Sequence, residues 1–306
     1  MLLLLTATIF ASNHIAARLA FDHGTSVATA VVVRSATTVL VVLGLLLATR
    51  TSLRLPLKTL RRAAAIGLLL SVQSYCIYAA VARLPVALAL LTFNLFPILL
   101  AAISWAVGGQ RPGRRTLIAM PVILLGLTLA LNVWGIGSAA PGGASFASRW
   151  AAMSAGVAFA LTAATSFAIA LYLTSRWLGG VDGRFRAVLT MATVGLVVLV
   201  VGSAAGALGL APGPGEPGSV FALPRTPIGW LGLGLLSLLY TIAFTTLFAL
   251  LPRLSAVNSA PILNFEPIAA LILGSQILGQ TVLPVQVAGA VLVVGAIVFL
   301  TTGRQR

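Results

Sequence analysis

Glu266 is one of four acidic residues in a chain of 306, and it stands inside an apolar stretch, Asn258-Ser259-Ala260-Pro261-Ile262-Leu263-Asn264-Phe265-Glu266-Pro267. A helix entering a bilayer near Ala256 and rising 1.5 Å per residue carries Glu266 about 15 Å deep. That is the middle of a hydrocarbon core about 30 Å thick. An ionisable group there is costly unless it is paired, hydrated or protonated, and it marks function by default. Three roles are open to it: a proton carrier, a counter-charge for a substrate amine, or the buried ion-pair partner of Arg34. Arg34 itself lies about 10–12 Å below the opposite surface if its helix begins near Val27, although a long arginine can snorkel. Arg18 is nearer that surface, where snorkelling explains it as well as function does. One part of the chain thus supplies buried cations and another the buried anion, an arrangement that suits a zwitterion.

Asn13 and His14 fall near the midplane of the first apolar segment, His14 as a proton relay or as a hydrogen-bonded core residue. Tyr75 and Tyr78 are three apart and share a helix face, with Gln73 pointing elsewhere. Together with Tyr240, Thr241 and Thr245 they either line a pocket or hydrogen-bond between helices. Pro97 and Pro267 each remove a backbone donor in mid-segment and kink the helix there. Asn94 and Asn264 stand beside these kinks, offering their amides to substrate or to the freed backbone. Irregular backbone at membrane depth is tolerated where it is buried or lines a wet cavity. The sequence has no paired carboxylates, nucleophile motif, metal-ligand cluster or phosphate-cradling loop. The expectation is a protein that is not an enzyme and has neither cofactor nor metal. A single Cys76 excludes an intramolecular disulfide.

The elements that position these residues follow from composition. A chain 59% hydrophobic and 8% charged, with mean hydropathy +1.10, is not a water-soluble globule, which carries roughly 25% charged residues. Ten apolar segments are expected, at 3–21, 27–48, 63–82, 86–107, 115–133, 152–174, 186–208, 228–250, 256–276 and 283–301. The opening Met1-Leu2-Leu3-Leu4-Leu5 lacks the basic start of a signal peptide and reads as a membrane helix. The 19 basic residues against 4 acidic ones do not indicate nucleic acid, because no basic run is interleaved with aromatics on a soluble face. They reflect retention of Lys and Arg on the cytoplasmic side. With both termini cytoplasmic, inside loops and the tail hold Arg50, Arg54, Lys58, Arg61, Arg62, Arg111, Arg114, Arg115, Arg176, Arg184, Arg186, Arg253, Arg304 and Arg306, and outside loops hold Arg83, Arg149 and Arg225.

The chain also repeats. Writing Arg83–Gln110 over Arg253–Gln280 sets Leu84 on Leu254, Asn94 on Asn264, Pro97 on Pro267 and Gly109-Gln110 on Gly279-Gln280. Ala36-Thr37 falls on Ala192-Thr193 at a shorter offset. Phe96 is thereby the mate of Glu266, and Thr190 of Arg34. Repeats decide architecture, and five spans per unit is an odd number, so the second copy enters the membrane the other way up. The fold class is an all-α integral membrane protein of ten transmembrane helices in two inverted five-helix repeats, 1–135 and 150–306. Inverted repeats are typical of secondary transporters, with the substrate near the midplane between halves.

At this point four local patterns carry a resemblance to the drug/metabolite transporter superfamily, in its EamA-domain branch. Ala11-Ser12-Asn13-His14 with downstream Arg18 is similar to the first-helix signature, and Val33-Arg34-Ser35 to the second-helix arginine. Leu84 through Pro97, and Leu263-Asn264-Phe265-Glu266-Pro267, look like the fourth and ninth helices. The chain departs in carrying Gln110 and Gln280 where members usually have Glu. The resemblance implies a central cavity lined by helices one, three, four, six, eight and nine, with rocking of helix pairs for alternating access. It also implies a bacterial amino-acid or metabolite exporter of the inner (plasma) membrane. The partners expected are a small-molecule substrate, the lipid bilayer and, as a candidate coupling ion, protons, with the protein a monomer or weak dimer. Phosphorylated substrates need several basic cavity residues, so small zwitterions such as amino acids are expected. Proton-coupled efflux of lipophilic cationic drugs is the alternative.

Overall fold

The computed structural model describes residues 2–49, 56–108, 114–132, 146–209, 219–250 and 266–302. Their regular elements are helices: α1 Leu2–Asp22, α2 Val27–Ala48, α3 Leu57–Arg83, α4 Val86–Phe93, α5 Phe96–Gly108, α6 Arg114–Ala130, α7 Phe146–Trp177, α8 Gly183–Ala207, α9 Pro227–Leu250, α10 Glu266–Leu278 and α11 Pro284–Thr302. A chain with this composition reaches that outcome because lipid offers no hydrogen bonds, and a helix satisfies its backbone internally. Six stretches are long and apolar enough to cross a bilayer: Val27–Ala48, Leu57–Arg83, Val86–Val107, Met153–Trp177, Gly183–Ala207 and Pro227–Thr246. Pro121–Ala130, Glu266–Leu278 and Pro284–Ala296 are apolar but shorter. Of the ninth expected segment, residues 256–265 lie outside the described residues.

Polarity runs opposite to that of a water-soluble protein. Leu40, Val107, Val201 and Val291 stand on the surface, whereas Asn13, Arg34, Ser74 and Thr241 are buried. Helix contact without a hydrophobic drive relies on close backbone approach, and two glycines provide it. A Cβ on Gly232 of α9 would lie 2.8 Å from the Ala20 nitrogen and 2.9 Å from the Ala16 oxygen of α1. One on Gly289 of α11 would run into the Ala130 nitrogen and Gly126 oxygen of α6.

Helix pairing has a regular order. α3 packs on α7 as α9 packs on α1; α3 meets α8 as α9 meets α2; α4 and α5 lie on α7 as α10 lies on α1. α2 pairs with α8, and α6 with α11. At the centre, α4 is buried from Val86 to Thr92. Arg18 ties the end of α1 to the turn between α3 and α4, and its side chain stays 25% exposed. It donates through Nε to Asp22 at 2.8 Å and through a terminal nitrogen to the carbonyls of Val81 and Leu84, at 3.2 and 3.3 Å, where α3 gives way to α4.

Pro97 does not kink a continuous helix. The fourth span is broken at Asn94 and Leu95, and Pro97 sits in the first turn of α5, where a missing N–H costs nothing. Pro267 is described within α10, but the residues before Glu266 that would show a kink lie outside the described residues. Leu95 bridges α4 and α5: its N–H donates to the Thr92 carbonyl at 3.2 Å, and its own carbonyl accepts from the backbone of Ile98 and Leu99 at 3.0 and 3.2 Å.

Candidate functional site

Four helices each present two side chains one turn apart on a common face: Phe10 and His14, Arg34 and Thr38, Ser74 and Tyr78, Tyr240 and Phe244. Residues four apart are neighbours on a helix surface, so packing α1, α2, α3 and α9 together brings these pairs to one place. The Tyr78 hydroxyl donates to Asn13 Oδ1 at 3.0 Å and accepts from an Arg34 terminal nitrogen at 3.4 Å. The other terminal nitrogen of Arg34 donates to Ser74 Oγ at 3.0 Å. The guanidinium carbon lies 3.9 Å from the centroid of the Tyr240 ring and 5.0 Å from that of Tyr78. Such cation–π contacts gain about 2 kcal/mol when desolvated, and Arg34 is 3% exposed.

Tyr240 is itself fixed from several sides. Its ring stacks on Phe244 with centroids 5.4 Å apart and meets the Phe10 ring edge-on at 6.1 Å. Its hydroxyl points to the Met191 sulfur of α8 at 3.6 Å. One residue on, Thr241 Oγ1 lies 3.1 Å from Thr38 Oγ1, joining α9 to α2.

Glu266 enters from α10. Its Oε1 lies 3.4 Å from Nε2 of His14, and its side chain keeps 23% of its surface accessible against 10% for the histidine. The His14 ring meets the edge of Tyr78 at 5.6 Å. The run Glu266–His14–Tyr78–Arg34 therefore spans four helices without interruption, with Asn13 and Tyr240 attached. Among the described residues the Arg34–Glu266 ion pair weighed from the sequence is not formed. The reason lies in the packing: α10 lies on α1 and α4, whereas α2 lies on α8, α9 and α3. Each charge finds a nearer neutral or imidazole neighbour.

Of the sequence-derived candidates, Asn13, His14, Arg34, Tyr78, Tyr240 and Glu266 come together. Tyr75 lies on α3, half-buried against the core. Asn94 is spent on its own helix, donating from Nδ2 to the Leu90 carbonyl at 2.9 Å. Asn264 lies outside the described residues. Sequence reasoning missed Phe10, Thr38, Ser74, Met191 and Phe244; the four-residue spacing to named partners was the available signal for all but Met191. Among the described residues no three His, Cys, Asp or Glu side chains gather as a metal site would require.

The profile of the EamA-like transporter family matches residues 1–132 and 154–302. No curated protein matches the chain. Among solved structures 14 chains match. One of these, a crystal structure, superposes with a TM-score of 0.64 at 18% sequence identity, over 100% of this chain and 98% of its own. At that identity the likeness is one of fold.

Proposed function

The chain belongs to the EamA-like transporter family, as a membrane protein with multiple spans, and from that premise we propose that it is a secondary active transporter of small zwitterionic solutes such as amino acids or related metabolites. One observation carries the reading: the buried polar run that gathers Asn13, His14, Arg34, Tyr78, Tyr240 and Glu266 from five helices. Its ends differ in charge. Glu266, with His14, takes the solute's amine and is the group through which protons couple. Arg34 has only neutral partners among the described residues, so its field reaches the solute's carboxylate. A unit charge in a medium of effective dielectric about 20 still exerts about 2 kcal/mol at ~8 Å. The paired helix contacts support two inverted units, 1–135 and 150–306, making ten spans that alternate access around a central cavity. In this reading the protein exports from the cytoplasm across the inner membrane, with both termini inside, as a monomer or weak dimer.

The test is uptake of a mixed labelled amino-acid pool into proteoliposomes, with and without a pH gradient. Saturable uptake that falls at least about tenfold in Glu266→Gln is the expected result. Uptake that survives the substitution would relegate Glu266 to structure. A second reading, efflux of lipophilic cations, is favoured by one specific feature: Arg34 lies closed behind Tyr240 and Tyr78, while Glu266 remains accessible. A folded protein that carries no amino acid but releases a labelled lipophilic cation would select it.

A further inference from the structure

We infer that Arg34 and Asn13 frame a buried site for a monovalent anion, either the carboxylate of the carried solute or a halide, on the Nε side of the guanidinium between α1, α2 and α3. The argument is a count of donors. A guanidinium has five N–H donors and accepts nothing. The structure provides two acceptors, Ser74 Oγ and the Tyr78 oxygen, and the Tyr240 ring covers a face without meeting the in-plane N–H groups. Nε of Arg34 is buried with no hydrogen-bond partner. The Tyr78 hydroxyl accepts from Arg34, so its own hydrogen goes to Asn13 Oδ1, which turns the Asn13 amide nitrogen away. That nitrogen is also buried with no partner. Both side chains hydrogen-bond the same hydroxyl, so the Asn13 amide and the Arg34 guanidinium stand side by side, each with a donor unused.

A buried donor left unsatisfied costs about 1–3 kcal/mol, and an unpaired charge in a dry interior costs more. Glu266 does not answer the need, because it lies against His14 and α10 packs chiefly on α1 and α4. A cation with spare donors, beside a second side chain with spare donors, is complementary to one negative charge that accepts several hydrogen bonds. A monovalent anion balances the single charge of Arg34, whereas a divalent one would leave a net charge buried beside the Tyr78 and Tyr240 rings.

The experiment follows thermal unfolding of the full chain in detergent by fluorescence, starting in sodium sulfate at fixed ionic strength. Sulfate is then exchanged for sodium bromide in one arm and sodium acetate in the other. A saturable rise of several degrees in bromide but not acetate identifies a halide co-ion; the reverse identifies the carboxylate subsite. In either case Asn13→Ala shifts half-saturation at least about tenfold to higher anion concentration. Arg34→Met abolishes the response. Absence of a saturable rise in the wild-type protein, or its persistence in Arg34→Met, overturns the proposal. Should Arg34→Met not fold, Asn13→Ala decides alone. Only the carboxylate arm rests on the transporter reading, and no transport is measured, so inactive proteoliposomes would overturn that reading and leave this one standing.

Discussion

Tyr78 joins the charged and amide parts of the site, because one hydroxyl serves both Asn13 and Arg34. Tyr78→Phe keeps the ring against His14 and Phe21 but strands two buried polar groups, at about 1–3 kcal/mol. The expected outcome is a lowered unfolding midpoint together with a transport rate reduced at least about tenfold, read in the same proteoliposomes. The Thr38–Thr241 contact is weaker. A double-mutant cycle with Thr38→Val and Thr241→Val should return a coupling of roughly 0.6 kcal/mol, the ordinary value for an interhelical hydrogen bond in a membrane. The residues readable from the sequence were those whose polarity was anomalous for their depth, such as Asn13, Arg34 and Glu266. Ser74 and Thr38 were signalled only by their four-residue spacing to Tyr78 and Arg34, because a lone serine or threonine in an apolar helix is ordinary and Thr38 also bonds back to the Arg34 carbonyl. The Arg34–Glu266 pair was a reasonable expectation from charge alone and failed because charge carries no information about which helices touch.

At the scale of elements, helix positions were legible in the hydropathy, and the irregular points were not. The prolines marked where the fourth span changes, but a proline signals a missing donor and does not say whether the helix bends or restarts. Asn94 was legible as an amide beside a proline, but not its choice of partner, the Leu90 carbonyl one turn back. The α6–α11 contact makes a sharper prediction. Gly289→Leu forces the two backbones apart and should destabilise the protein by at least about 1–3 kcal/mol, the cost of overpacking, measured as unfolding in detergent. Asp182, outside the membrane, caps α8 by accepting from the Arg184 backbone at 2.8 Å. A side-chain hydrogen bond from Arg184 holds its carboxyl below the usual carboxylate value. Its contribution is therefore full above that usual value and is lost as pH falls through the lowered one. The wild type should melt slightly above Asp182→Asn from neutral pH down to about pH 4, and the two should converge in stronger acid.

Across the whole molecule, the apolar exterior and polar interior were implicit in composition, whereas the pairing of helices across the chain required three dimensions. Orientation can be checked directly. In a Cys76→Ser background, Arg225→Cys should react with an impermeant maleimide on intact cells, and Lys58→Cys only after permeabilisation; the opposite pattern would turn the molecule over. The polar run also has a consequence in time. Ser74 and Tyr78 follow Arg34 by 40 and 44 residues, whereas Thr241 follows its partner Thr38 by 203. At about 5–20 residues per second, the ribosome delivers the first acceptors within roughly 2–9 s and α9 only after about 10–40 s. During that interval the nascent first half shelters the arginine with Ser74, Tyr78 and Asn13 alone. Glu266 is synthesised among the last of the polar groups, and His14 is already in the membrane when it arrives. The order of synthesis thus matches the order in which each buried charge acquires a neighbour.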